Sequence, residues 1–179
     1  AGLVFDNVRV PEENILGEIN GGYKLGLEWI GFARWVVGAR AVGMAERLLQ
    51  MAIDYSKERK TFGKPIADNQ AIQWPIADSA VEIEAARWLV LNAAFTLDQG
   101  EDNRHLASMA KLYGANMGNR VVDRVLQIHG GMGYTRELPI ERWYREARLW
   151  RIYDGTDEIQ RMIISRNLLK GNVKIGQYV

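Results

Sequence analysis

The sequence predicts an all-α fold, an up-and-down four-helix bundle preceded by one short strand left over from a β domain. Three features predict it. A proline-free stretch from Tyr23 to about Lys57 carries apolar residues near helical spacing. A second stretch, Asn69 to about Leu97, carries an apolar stripe in i, i+4, i+3 steps. The connections between helical stretches are short, which makes successive helices antiparallel neighbours.

The opening residues alternate apolar and polar from Leu3 to Val10 and stop at Pro11, the pattern of a half-buried strand. One strand alone is not stable. Residues 1–20 therefore read as the end of a preceding β domain and its linker, and residues 21–179 as the helical bundle. The first helix carries Leu25, Trp29, Phe32, Val36, Val37, Val42, Leu48, Leu49, Ala52 and Ile53. A break with Gly63 and Pro65 follows. The second helix has the stripe Ile72, Ile76, Ala80, Ile83, Ala86, Val90 and Ala94, and Pro75 in its second turn can bend it. A turn at Asp98 to Asp102 leads into a third helix from about Ala107 to Ile128, ended by Gly130-Gly131. A short helix spans about Glu141 to Leu149. The last runs from about Thr156 to Leu169, with acids at its start.

Composition removes several function classes. The 179 residues suit one domain, with 47% hydrophobic and 25% charged residues. A formal net charge of +1 with mixed signs gives no basic field for nucleic acid. There is no cysteine, hence no disulfide framework or thiolate, and two histidines are too few for a histidine-rich metal site. No apolar run approaches the roughly 20 residues that span a bilayer.

Three segments carry polar and glycine residues that bundle packing does not require. In Glu58-Arg59-Lys60-Thr61-Phe62-Gly63-Lys64-Pro65, followed by Asn69-Gln70, an arginine beside a hydroxyl and a glycine-opened backbone suits a pyrophosphate. The same residues also make an ordinary solvated turn, and the glycine spacing of a P-loop is absent. Gln127-Ile128-His129-Gly130-Gly131-Met132-Gly133-Tyr134 lets a backbone approach a ligand closely, or simply ends a helix. In Tyr153-Asp154-Gly155-Thr156-Asp157-Glu158 an acid stands just before a helix amino terminus, where capping is the commonest role.

In this order and spacing the three segments, together with Gly21 to Lys24, Arg34 and the run to Arg166, resemble the signature of the acyl-CoA dehydrogenase family over nearly the whole chain. The opening strand resembles the last strand of that family's middle domain. The resemblance implies a flavoenzyme oxidising an acyl-CoA thioester to its 2,3-enoyl form, with a carboxylate taking the α proton and the β hydrogen leaving as hydride to FAD. It implies Asp154 as the base, with Tyr153, Gly155 and Arg34 on the acyl-CoA side. Arg59, Thr61, Phe62, Gln70, Gln127, Gly130 and Gly131 would hold the FAD of a neighbouring subunit, and Thr156 and Glu158 would face the FAD of their own. A shared site implies a homodimer or homotetramer, with an electron-transfer flavoprotein as acceptor and no nucleic-acid or membrane partner. Location would be cytoplasmic in a bacterium and the mitochondrial matrix in a eukaryote, which this segment does not decide. The isolated segment is expected to be inactive.

One position departs from the family. Asp154 stands where most members carry glutamate, and the alternative glutamate on the first helix is replaced by Ala33, with Glu28 one to two turns away. The nitroalkane oxidases of the same fold use aspartate there, which keeps a flavin oxidase acting on another carbon acid as a second reading. A non-catalytic helical assembly module, with its glycines and acids serving as caps, is a third.

Overall fold

The computed structural model describes residues 2–174 and 176. Its main helices are α1 (Gly22–Glu58), α2 (Gln70–Asp98) and α3 (Arg104–His129), followed by the single turn α4 (Gly131–Tyr134), then α5 (Ile140–Leu149) and α6 (Asp157–Leu169). The five expected helical stretches lie within one or two residues of these bounds, apart from α3, which starts three residues earlier. The expected domain end at residue 179 lies outside the described residues.

Between α1 and α2 the chain makes a hairpin, β1 (Lys60–Thr61) and β2 (Lys64–Pro65), where the sequence suggests only a break. Its two turn residues, Phe62 and Gly63, have φ of 52° and 82°. Positive φ at both central positions is the twist that joins short antiparallel strands. Gly63 adopts it freely, whereas Phe62 is a strained side-chain-bearing residue there. Pro65, with no N–H, ends the ladder.

The bundle is closest where α1 crosses α3. A Cβ on Gly38 would lie 2.8 Å from the Ala110 carbonyl oxygen, and one on Gly114 would lie 2.9 Å from the Gly38 Cα. Both glycines are therefore required by backbone contact. Buried Ala41, Ala45, Ala110 and Ala115 extend this tight seam. On α2 the buried stripe runs through Ser79, Ile83, Ala86, Val90 and Ala93. It thus passes through Ser79 and Ala93, not Ala80 and Ala94 as the sequence suggests. Ser79 tolerates the interior because its hydroxyl donates to the Pro75 carbonyl at 2.6 Å.

Three contacts fix the direction of the last segment. Asn119 Nδ2 donates to the Ala147 carbonyl (2.7 Å), Asn116 Nδ2 to Asp157 Oδ2 (2.9 Å), and Lys111 Nζ to the Gly155 carbonyl (2.8 Å). From residue 147 to residue 155 the partner on α3 falls from 119 to 111, with Asp157 reaching back to Asn116, so this segment descends antiparallel to α3 and completes the bundle. Trp150, 1% exposed, plugs its centre.

The expected strand from Leu3 to Val10 forms no ladder. Leu3, Val4 and Phe5 are exposed, and no described residue pairs with them. A strand needs a hydrogen-bonded neighbour to exist. The first third of α1 is likewise uncovered: Trp29 and Phe32 are exposed and pack on each other and on Trp35 in a short aromatic ladder.

Candidate functional site

The sequence-selected residues fall into two clusters at opposite ends of α3. Eighteen residues of helix separate His129 from Lys111, or about 27 Å at 1.5 Å per residue.

At the first end, the carboxy termini of α1 and α3, the hairpin and the start of α2 surround a cavity of about 560 Å³. Arg59, Thr61, Gly130 and Gly131 line it together. Gly130 has φ of 58°, and a Cβ on Gly130 or Gly131 would meet no atom within 4 Å, so both present open backbone to the cavity. Phe62, at the hairpin tip, and Gln70 and Gln127 are exposed and stand outside the lining. Two wall residues escaped the sequence reading. The Tyr55 ring stacks on the His129 imidazole with centroids 4.4 Å apart and planes at 24°. His129 is fixed by Nδ1, which lies 2.8 Å from the Val125 carbonyl and therefore carries the proton that bond needs. Burial holds this imidazole below its ordinary pKa, with the Val125 contact opposing. The one signal in the sequence was an imidazole directly before the Gly130-Gly131 pair; Tyr55, four residues before Arg59, gave none.

A guanidinium, a hydroxyl, open glycine backbone and a flat aromatic wall fit the diphosphate and ring system of a dinucleotide such as FAD.

At the other end lies the turn before α6. Asp154 and Gly155 have φ of 54° and 90°. Two consecutive left-handed residues, one of them not glycine, are held only by surrounding bonds. Gln160 Nε2 donates to the Asp154 carbonyl (3.2 Å) and the Gly155 carbonyl (2.8 Å), and Lys111 adds the second bond to Gly155. Tyr153 is half-buried, and its hydroxyl accepts from Arg40 at 3.4 Å. Arg34 is half-buried on α1, and its Nε makes no hydrogen bond. Burial lowers its pKa, the Asp154 carboxylate opposes this, and Arg104 reinforces it. Arg34 and Arg104 share a cavity of about 480 Å³ with Asn167 and Asn172. Asp154, Arg34, Tyr153 and Gly155 are thus gathered at one end.

Thr156 caps α6, its Oγ1 accepting from the Ile159 N–H at 3.4 Å. The exposed Glu158 carboxyl is held below its ordinary pKa by its own N–H and the Thr156 hydroxyl. Thr156 therefore does the capping work its position suggested.

Beneath the turn is a set that sequence reading missed: Lys111, Asn116 and Asp157, with Arg151 at its edge. Lys111 and Asp157 are 0% and 2% exposed. Asp157 Oδ2 accepts from Asn116 and from Arg151, each at 2.9 Å. The available signal was Lys111 in register with Ala107 and Ala115, a charge on the buried face of α3.

Comparison with known proteins agrees with this architecture. Residues 20–169 match the family model described as acyl-CoA dehydrogenase, C-terminal domain. The chain is 44% identical over 168 residues to a cyclohexane-1-carbonyl-CoA dehydrogenase of Geobacter metallireducens, covering 94% of this chain and 44% of that protein. It is 45% identical over 168 residues to the CarC subunit of the caffeyl-CoA reductase–Etf complex of Acetobacterium woodii, with the same coverage of 94% and 44%. Among solved structures, butyryl-CoA dehydrogenase from Megasphaera elsdenii superposes with a TM-score of 0.86 at 41% identity, over 93% of this chain and 43% of that one. The chain spans less than half the length of these relatives. By its motifs, its bundle and these matches, the chain belongs to the acyl-CoA dehydrogenase family, whose C-terminal helical domain it represents.

Proposed function

We propose that this domain supplies the base and part of the flavin site of an FAD-dependent acyl-CoA dehydrogenase. The observation that carries the reading is the Asp154 turn: an acid on a strained left-handed turn whose backbone carbonyl is held by Gln160, with its charge acting on the Arg34 guanidinium. Strain of this kind, held by surrounding bonds, is a mark of functional turns.

In this reading the Asp154 carboxylate removes the α proton of a bound acyl-CoA. FAD, when bound, accepts the β hydrogen as hydride. Tyr153 and Gly155 border the acyl group, and Arg34 binds toward the CoA portion. Arg59, Thr61, Gly130 and Gly131 hold the diphosphate and adenosine of FAD from a neighbouring copy, with Phe62, Gln70 and Gln127 closing on it from outside the cavity. Thr156 and Glu158 face the flavin of their own copy. The separation of about 27 Å between the two clusters supports two flavin contacts per chain, and hence a homo-oligomer. The relatives named above act, by their names, on CoA thioesters, and one belongs to an Etf complex, which supports an acyl-CoA substrate and an electron-transfer flavoprotein as acceptor. Residues 1–20 are the end of the middle β domain and its linker in the same proposal.

The test is anaerobic mixing of the full-length, FAD-loaded protein with a panel of saturated acyl-CoAs while flavin absorbance is followed. Bleaching that Asp154→Asn slows by about 100-fold or more supports the base assignment. Bleaching by a nitroalkane and by no acyl-CoA would instead favour the oxidase reading that an aspartate at this position keeps open.

A further inference from the structure

We propose that Lys111 is a positioning residue for the reaction: from α3 it holds the backbone of the Asp154–Gly155 turn and places a fixed positive charge beneath the Asp154 carboxylate. This rests on the reading of Asp154 as base.

Packing alone does not account for the residue. Lys111 is wholly buried, on a helix face where its near neighbours are Ala107, Ser108, Gly114 and Ala115, none of them charged. Burying an ammonium costs several kcal/mol before pairing, and an apolar side chain of similar volume would avoid that cost. Its partners lie on one side. Nζ donates to the Gly155 carbonyl at 2.8 Å and lies 4.0 Å from Asp157 Oδ1, which has no hydrogen bond of its own. The other Asp157 oxygen is already saturated by Asn116 and Arg151, which fixes that carboxylate in place.

The charges around this point come from every element packed there. Arg34 faces it from α1, Arg104 lies at the start of α3, Arg151 precedes the turn, the Tyr153 phenol and Asp154 lie in the turn, and Asp157 and Glu158 begin α6. Burial lowers the Lys111 pKa, while Asp157, Asp154 and Glu158 oppose this and Arg34 reinforces it. The Gly155 carbonyl that accepts from Nζ and the Asp157 carboxylate beside it both favour the charged ammonium. Gln160, the other donor to the turn, shares the Gly155 carbonyl with Lys111 and also bonds the Asp154 carbonyl, without charge. Geometry is thus shared between Lys111 and Gln160, whereas the electrostatic contribution belongs to Lys111 alone.

The experiment compares Lys111→Met, Lys111→Arg, Gln160→Met and Asp154→Asn in the full-length, FAD-loaded protein. Flavin bleaching by the best acyl-CoA is measured across pH, with hydrogen exchange of the peptide covering residues 150–160 as a readout independent of turnover. Lys111→Met should lower the limiting rate by roughly tenfold to a hundredfold, the scale of an ångström-sized misplacement. It should also move the acid limb of the pH profile upward, since a carboxylate that loses a cation is harder to ionise. Exchange in residues 150–160 should quicken. Gln160→Met should lower the rate and quicken exchange without moving the pH profile. Lys111→Arg, keeping the charge, should keep the profile, and together with Gln160→Met it carries the test if Lys111→Met does not fold. Wild-type rate and profile in Lys111→Met, or a displaced profile in both Lys111→Arg and Gln160→Met, overturns the proposal while leaving Asp154 as base. Undiminished bleaching in Asp154→Asn removes the base reading and this proposal together.

Discussion

The Tyr55 ring lies stacked on the His129 imidazole, 4.4 Å between centroids, joining the last turn of α1 to the last turn of α3 at the wall of the larger cavity. The pair covers the floor of that cavity with a flat, mostly apolar surface. A stacked pair contributes roughly 0.5–1.5 kcal/mol beyond its buried area. Tyr55→Ala in the full-length protein should therefore weaken FAD binding by up to about tenfold. Quenching of flavin fluorescence on titration with apoprotein measures it, and an unchanged affinity would exclude these rings from the flavin contact.

Acid should destabilise the domain through the same histidine. Burial lowers the His129 pKa in the folded state. The unfolded chain then binds the proton more readily than the folded one, so this contribution to stability is complete above the ordinary histidine pKa and is lost as pH falls through the folded value. Burial shifts His105 in the same direction. Thermal melts between pH 7.5 and 5, at roughly the ordinary histidine range, should show Tm falling toward acid. His129→Phe, which keeps a ring against Tyr55, should flatten part of that slope, and an equally steep slope in the variant would contradict it.

Gly155→Ala should damage both stability and the site. At φ of 90° a side chain is strained, and the added Cβ would lie 2.7 Å from Gln160 Nε2, one of the donors that grip the turn. The backbone penalty alone is about 1–3 kcal/mol. The Tm should drop, and flavin bleaching by acyl-CoA should slow more than in a variant of equal Tm with its substitution on the outer face of α2. Rates that follow Tm alone would show the turn to be purely structural.

Helix bounds and order were legible in the chain because their causes are local: the 3.6-residue periodicity of Val37 to Ala52 or Ile83 to Val90, the glycines that stop α3, and the threonine that caps α6. The motif residues Arg59, Thr61, Gly130 and Asp154 were legible because glycine and charge at those positions exceed what a bundle needs. The hairpin at Lys60–Pro65 was hidden, since two-residue strands have no period to detect. Ser79 was hidden because its partner is the Pro75 carbonyl, one turn back in its own helix. Lys111 and Asp157 are 46 residues apart and meet only because the last segment descends along α3. A buried charge declares its purpose only through its partners, and partners distant in sequence are chosen by packing. Sequence periodicity and caps thus determined the helices and marked the two ends of the bundle, whereas tertiary packing decided which charge lies beneath Asp154 and which rings face the cavity, because those energies depend on distance and burial that no local pattern encodes.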